Sequence, residues 1–122
     1  MRVLIIDDDK FIRVVYKSGF VHEGIEVDLA QDGEEGIEKA RESSPDIILL
    51  DIILPNKDGF EFLEEAKKDD ILKKIPVIVF SALNQQPDID RAMGLGALKY
   101  MPKDNYMPNQ IIEEVKKILS GK

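Results

Sequence analysis

The sequence predicts an α/β fold, a mainly parallel sheet of five strands with five helices distributed over both faces. Two observations carry this. Five short apolar runs are spaced along the chain, and apolar residues recur at helical intervals in the stretches that separate them. Strands that alternate with helices pair in parallel and are joined by right-handed crossovers.

The first run, Val3-Leu4-Ile5-Ile6, is continuous and rich in Ile and Val, as suits a strand buried on both faces. Phe11, Ile12, Val14 and Val15 then open a helix behind an acidic N-terminus. Ile25, Val27 and Leu29 alternate with Glu26 and Asp28, which suits an edge strand with one wet face. The Asp32-Gly33 turn leads to a second helix marked by Ile37 and Ala40 and stopped near Ser43-Ser44-Pro45. Ile47-Ile48-Leu49-Leu50 is the third strand, and Phe60, Phe62, Leu63 and Ala66 mark the core side of the third helix. Val77-Ile78-Val79-Phe80 is the fourth strand. A short helix follows, with Pro87 near its start, Ile89, Ala92 and Met93 as its apolar positions and Gly94 at its end. Leu98 to Met101 is the last strand, and Ile111, Ile112, Val115, Ile118 and Leu119 give the last helix a strong apolar face.

A chain of 122 residues, 43% hydrophobic, has room for one domain and one core, here taken as residues 1–122. Its net charge of −7 argues against nucleic acid and anionic membrane as direct partners. No apolar run is long enough to span a bilayer, and the early Asp7-Asp8-Asp9-Lys10 segment leaves no signal peptide to be expected. The absence of cysteine excludes disulfides, thiolate zinc sites and thiol catalysis, and is compatible with a cytoplasmic location.

In an open parallel sheet, reactive groups gather beyond the carboxyl ends of the strands. Asp7, Asp8 and Asp9 follow the first run, Asp51 the third and Ser81 the fourth, and Lys103 comes two residues after the fifth. Gln31 and Asp32, after the second, read as a turn. Carboxylates crowded into one cleft raise one another's pKa, and a hard cation such as Mg²⁺ removes that conflict. A carboxylate can also attack phosphorus, with an ammonium and a hydroxyl stabilising the charge on the transferred group. Each residue alone has a plainer explanation; Asp9, for example, reads as a helix N-cap. Their joint placement is what points to phosphoryl chemistry.

Leu4-Ile5-Ile6-Asp7-Asp8-Asp9, Asp51-Ile52-Ile53-Leu54-Pro55 with Asp58-Gly59, Ser81-Ala82, and Gly96-Ala97 leading to Tyr100 and Lys103 stand in one order and spacing along nearly the whole chain. In this the chain resembles a response-regulator receiver domain of bacterial two-component signalling, of the chemotaxis-receiver kind. The resemblance implies a flavodoxin-like sheet of strand order 2-1-3-4-5. It further implies that Asp51 is the phosphoacceptor and that Mg²⁺ is held by Asp8, Asp7, Asp51 and the backbone carbonyl of Ile53. Ser81 is then the switch hydroxyl, Lys103 the phosphate-pairing lysine, and Tyr100 the aromatic that changes rotamer. The implied partners are a sensor histidine kinase or histidine phosphotransfer protein as donor and a downstream protein target. That target would read the surface of the fourth helix, fifth strand and fifth helix, and dimerisation on phosphorylation is compatible with this scheme.

Two features set this chain apart. The family usually follows the lysine with proline, in a cis linkage, whereas here the order is Pro102-Lys103-Asp104. A cis bond before a non-proline residue costs about 2.5–4 kcal/mol, so a trans Lys103–Asp104 bond or a strained loop is expected, with Asp104 a competitor for the ammonium. The positions two after the acceptor and two after the switch hydroxyl are Ile53 and Leu83. Neither can orient a water, so slow loss of the phosphoryl group is expected.

Other features read as ordinary. His22, the only histidine, sits near a helix end and is expected to be solvated. Gly94 and Gly96 read as a helix stop and turn, and Lys67, Lys68, Lys73 and Lys74 as a solvated helix end. Two alternatives to the switch remain. An aspartate-nucleophile phosphohydrolase of the haloacid dehalogenase type needs a second Asp where this chain has Ile53. A degenerate receiver that only binds a partner would not need the full acidic set.

Overall fold

The computed structural model describes residues 1–121. Five strands and five helices alternate: β1 (Arg2–Ile6), α1 (Lys10–His22), β2 (Glu26–Ala30), α2 (Gly33–Ser43), β3 (Ile47–Leu50), α3 (Gly59–Lys68), β4 (Val77–Ser81), α4 (Gln86–Gly94), β5 (Lys99–Pro102) and α5 (Pro108–Ser120). Single 3₁₀ turns lie at Leu72–Lys74 and Lys103–Asn105. All pairings are parallel, in the order β2-β1-β3-β4-β5. The flavodoxin-like arrangement is therefore the one the motifs implied.

Strand alternation divides the core in two. Leu4, Ile6, Ile48, Leu50, Val77 and Val79 face α2, α3 and α4, where they meet Ile37, Phe60, Phe62, Leu63 and Ala92. Val3, Ile5, Ile47, Leu49, Ile78 and Phe80 face α1 and α5, where they meet Tyr16, Phe20, Ile111, Val115 and Leu119. β1, β3 and β4 are covered on both sides, which is why their runs are continuous. β2 lies at an edge, and its exposed Glu26 and half-buried Asp28 both pair with Arg2.

The structure corrects several positions. Phe11 and Val14 do not pack inward; they are 72% and 56% exposed, and α1 buries Tyr16 and Phe20 with Ile12 and Val15 half-covered. The helix is rotated so that residues 12, 16 and 20, four apart, face the sheet. Met93 is likewise exposed, leaving Ala92 as the one buried residue of α4. β5 begins at Lys99 rather than Leu98: the Leu98 amide still bonds the Val77 carbonyl at 2.8 Å, but its side chain is 51% exposed. His22 is exposed at the end of α1, and Lys67, Lys68, Lys73 and Lys74 are exposed as expected. Gly96 turns the chain after α4 with φ of 102°, a conformation open chiefly to glycine.

Candidate functional site

Register builds the pocket. Ile6 stands opposite Leu50, so the residues that follow them, Asp7 and Asp51, emerge side by side from neighbouring strands. Their amides extend the ladder, Asp51 N–H to the Ile6 carbonyl at 2.9 Å and Asp7 N–H to the Ala30 carbonyl at 3.0 Å. Both side chains are buried, whereas Asp8 turns outward to solvent. One carboxylate oxygen from each of Asp7, Asp8 and Asp51 lies within 4.8 Å of the others. Asp9 stands apart from this group as the N-cap of α1, accepting from the amides of Phe11 and Ile12.

The buried acids are held by few donors. Asp7 Oδ1 accepts from the Asp9 amide at 2.9 Å, and Asp51 Oδ1 from the amides of Ile52 and Ile53 at 2.7 and 3.3 Å. Lys103 Nζ spans the two acids, 2.9 Å from Asp7 Oδ2 and 3.1 Å from Asp51 Oδ2. Burial raises the Asp7 pKa above the ordinary carboxylate range. Repulsion from Asp51 adds to this, and the Asp9 amide and Lys103 offset it only in part. Burial also opposes the charge on Lys103, but attraction to Asp51 and Asp7 outweighs it and the ammonium pKa is raised. Oxygen-only donors, convergent carboxylates and a buried acid under electrostatic pressure together fit a hard divalent cation such as Mg²⁺.

Lys103 reaches the pocket without proline after it. The Lys103–Asp104 peptide is trans, Lys103 opens the 3₁₀ turn directly behind β5, and Asp104 is exposed. Ser81 ends β4, one strand over from Asp51, and is fully buried; its Oγ accepts from the Leu83 amide at 3.3 Å. Tyr100 does not join the acidic group. It is half-buried against the α4 side of the sheet, and its hydroxyl donates to the Leu83 carbonyl at 2.7 Å. Ile53 lies in the β3–α3 loop with its side chain 53% exposed.

Two contributors, Arg13 and Asn56, were not singled out from the sequence, and a third, Gly59, entered it only within the Asp58-Gly59 motif. Arg13 donates from α1 to the Asp7 backbone carbonyl at 2.9 Å, a contact no local pattern announces. Gly59 closes the β3–α3 loop by donating to the Ile52 carbonyl at 2.9 Å; a Cβ there would lie 2.5 Å from the Asp51 carbonyl and 2.6 Å from Ile52 Cα. Asn56, at the loop tip, adopts φ of 65° and donates to Asp32 Oδ2 at 2.8 Å. The cluster Asn56-Lys57-Asp58-Gly59 has the composition of a turn, which was the available signal.

Comparison with known proteins agrees with this architecture. Residues 3–116 match the response regulator receiver domain family. The chain is 35% identical over 120 residues to the chemotaxis protein CheY of Bacillus subtilis, covering 98% of each. It is 36% identical over 118 residues to the chemotaxis protein CheY of Thermotoga maritima, covering 96% of each. Against the alkaline phosphatase synthesis transcriptional regulatory protein PhoP of B. subtilis it is 31% identical, spanning 48% of that regulator. Among solved structures, a two-component response regulator from Clostridium difficile superimposes with a TM-score of 0.90 at 29% identity, covering 98% of this chain and 96% of that one. A CheY-like receiver domain protein from Methanospirillum hungatei gives 0.89 at 30% identity, covering 98% and 94%. With its fold, its acidic pocket and these matches, the chain belongs to the response regulator receiver domain family.

Proposed function

We propose that this receiver is a phosphoacceptor switch in which Asp51 takes a phosphoryl group from a phosphohistidine donor. The observation that carries the reading is convergence. Asp51 shares a pocket with Asp7 and Asp8, and the Lys103 ammonium bonds to both Asp51 and Asp7. A carboxylate oxygen of Asp51 attacks phosphorus, the P–N bond to the donor imidazole breaks, and the imidazole leaves as the acyl phosphate forms. Asp7, Asp8, Asp51 and the Ile53 carbonyl would hold Mg²⁺, which when bound neutralises acids and phosphoryl oxygens.

The residues of the chain supply the rest. The Lys103 ammonium, already between the two acids, is placed to pair with a phosphoryl oxygen on Asp51. Ser81 is a buried hydroxyl one strand away and can donate to another oxygen by turning from the Leu83 amide. Release of Leu83 would free the β4–α4 loop and the Tyr100 contact, carrying the change to the α4/β5/α5 surface that a protein target reads. The donor is a sensor histidine kinase or a histidine phosphotransfer protein. The role is regulatory, since the product is a modified receiver rather than a released metabolite.

Intact-mass measurement after incubation with Mg²⁺ and acetyl phosphate tests this. One phosphoryl adduct on the wild type and none on Asp51→Asn is expected. No adduct on the wild type would leave a partner-binding module, and sustained turnover of a phosphate ester would indicate a phosphohydrolase.

A further inference from the structure

We propose that Asp32 and Asn56 are positioning residues for the acidic pocket: their side-chain hydrogen bond clamps the β2–α2 turn to the β3–α3 loop and so fixes the loop backbone beside Asp51. The inference rests on the phosphoacceptor reading and extends it to residues outside the pocket.

β2 is the one strand whose carboxyl end offers no group for the chemistry; Gln31 and Asp32 follow it. Asp32 nevertheless uses both carboxylate oxygens. Oδ1 caps α2 by accepting from the Glu35 amide at 2.8 Å, and Oδ2 accepts from Asn56 Nδ2 at 2.8 Å. Beside this bond the Gly33 amide donates to the Lys57 carbonyl at 2.9 Å, and a Cβ on Gly33 would collide with that same carbonyl. The two loops therefore approach as closely as backbone allows. Asn56 sits in the left-handed region, which asparagine tolerates better than most residues but does not favour, so the tether holds a conformation the chain would not choose alone.

The loop transmits what happens at its tip. It is closed at its neck by Gly59 N–H to the Ile52 carbonyl at 2.9 Å and braced within by Lys57 N–H to the Pro55 carbonyl at 2.7 Å. At that neck the amides of Ile52 and Ile53 hold Asp51 Oδ1. Lys57 also pairs with Glu65, and Asp58 caps α3 through the Glu61 amide, but both ties run to the helix the loop leads into. Among the described residues, the bonds at Asp32 and Gly33 are those that anchor the loop across to the β2 side. Groups that hydrogen-bond to a metal's ligands orient them, as the Ile52 and Ile53 amides do for Asp51, and the clamp fixes the loop that carries those amides.

The test is Mg²⁺ titration of the metal-free protein, read by calorimetry and by the backbone amide shifts of Asp8 and Ile53. Asn56→Gly removes the tether together with the left-handed strain. Asp32→Ser keeps a capping oxygen for Glu35 but falls short of Asn56. Each variant is expected to weaken Mg²⁺ binding about tenfold, the lower end for outer-shell partners, with no further loss in the double variant. Asp32→Asn, which can still bond across to Asn56, is expected to stay within about twofold of the wild type. Thermal melts of all variants confirm that the measured protein is folded. Folded Asn56→Gly and Asp32→Ser that bind Mg²⁺ within about twofold of the wild type, or losses that simply add in the double variant, overturn the clamp. A wild type that binds no Mg²⁺ near Asp8 overturns the phosphoacceptor reading as well, and the two failures are thus distinct.

Discussion

The Tyr100 hydroxyl donates a 2.7 Å hydrogen bond to the carbonyl of Leu83, while the Leu83 amide donates to Ser81 Oγ at 3.3 Å. Leu83 is thus gripped through both of its backbone polar groups, by one residue at the end of β4 and one within β5. Burial, the leading cause, raises the Tyr100 phenol above its ordinary pKa, so it remains a protonated donor at neutral pH. The grip ties the β4–α4 loop to the strand beside the pocket.

Tyr100→Phe removes one of the two bonds. The expected cost is about 1 kcal/mol of stability, the usual net value of such a hydrogen bond, with faster amide exchange in residues 83–86. Phosphoryl uptake on Asp51 should persist, because Tyr100 does not touch the acids. Unchanged exchange in that loop would show that the contact holds nothing in place.

The acyl phosphate on Asp51 should be long-lived. Ile53, two residues after Asp51, has a half-exposed apolar side chain, and Leu83 packs partly against the core, so neither offers a group to orient an attacking water. Ile53→Asn places an amide there and should shorten the lifetime several-fold without preventing phosphorylation. Decay of the wild-type label within seconds, in Mg²⁺ and without a phosphatase, would contradict this.

Gly59→Ala should be costly at a position whose φ is not the reason for glycine. The added methyl would press on the Asp51 carbonyl and Ile52 Cα, both backbone atoms that cannot swing aside. Overpacking of this kind costs about 1–3 kcal/mol, and the displaced neck should also reduce phosphoryl uptake. A Gly59→Ala protein with wild-type melting and wild-type uptake would mean the loop relaxes freely.

Asp69 should contribute to stability in a pH-dependent way. Its carboxylate accepts from the amides of Leu72 and Ile71 at 3.0 and 2.9 Å and from Arg41 at 2.8 Å. The Leu72 amide, then Arg41, then the Ile71 amide hold its pKa below the ordinary value. A depressed carboxylate adds stability that is complete above about pH 4, the unfolded value, and is lost as pH falls through the lower folded value. The stability difference between wild type and Asp69→Asn should therefore narrow on acidification in denaturant titrations. A gap that is constant from neutral to strongly acid pH would remove the charge from the account.

Much of this was legible because parallel sheets impose a simple code. Continuous runs such as Ile47-Ile48-Leu49-Leu50 announce strands covered on both faces, and the polar residue after each run lands at the same end of the sheet. Asp7, Asp8, Asp51 and Lys103 could be grouped for that reason, before any distance was known. The face of α1 was misjudged because Phe11 and Val14 satisfy helical spacing as well as Tyr16 and Phe20 do. Which set turns inward depends on how the helix docks on the sheet, and local periodicity does not contain that angle.

Composition, spacing and residue chemistry alone determined the alternating architecture and which strand ends carry reactive groups, since hydrophobic patterning is local and its period reveals the element. Only the folded chain decided that Lys103 bridges Asp7 and Asp51 across 52 residues of sequence from the latter, and that Asn56 reaches Asp32 across 24. Such bonds depend on register, loop closure and rotamer together. A hydrogen bond forms or fails within a few tenths of an ångström, a precision reached only when packing has placed the distant backbones.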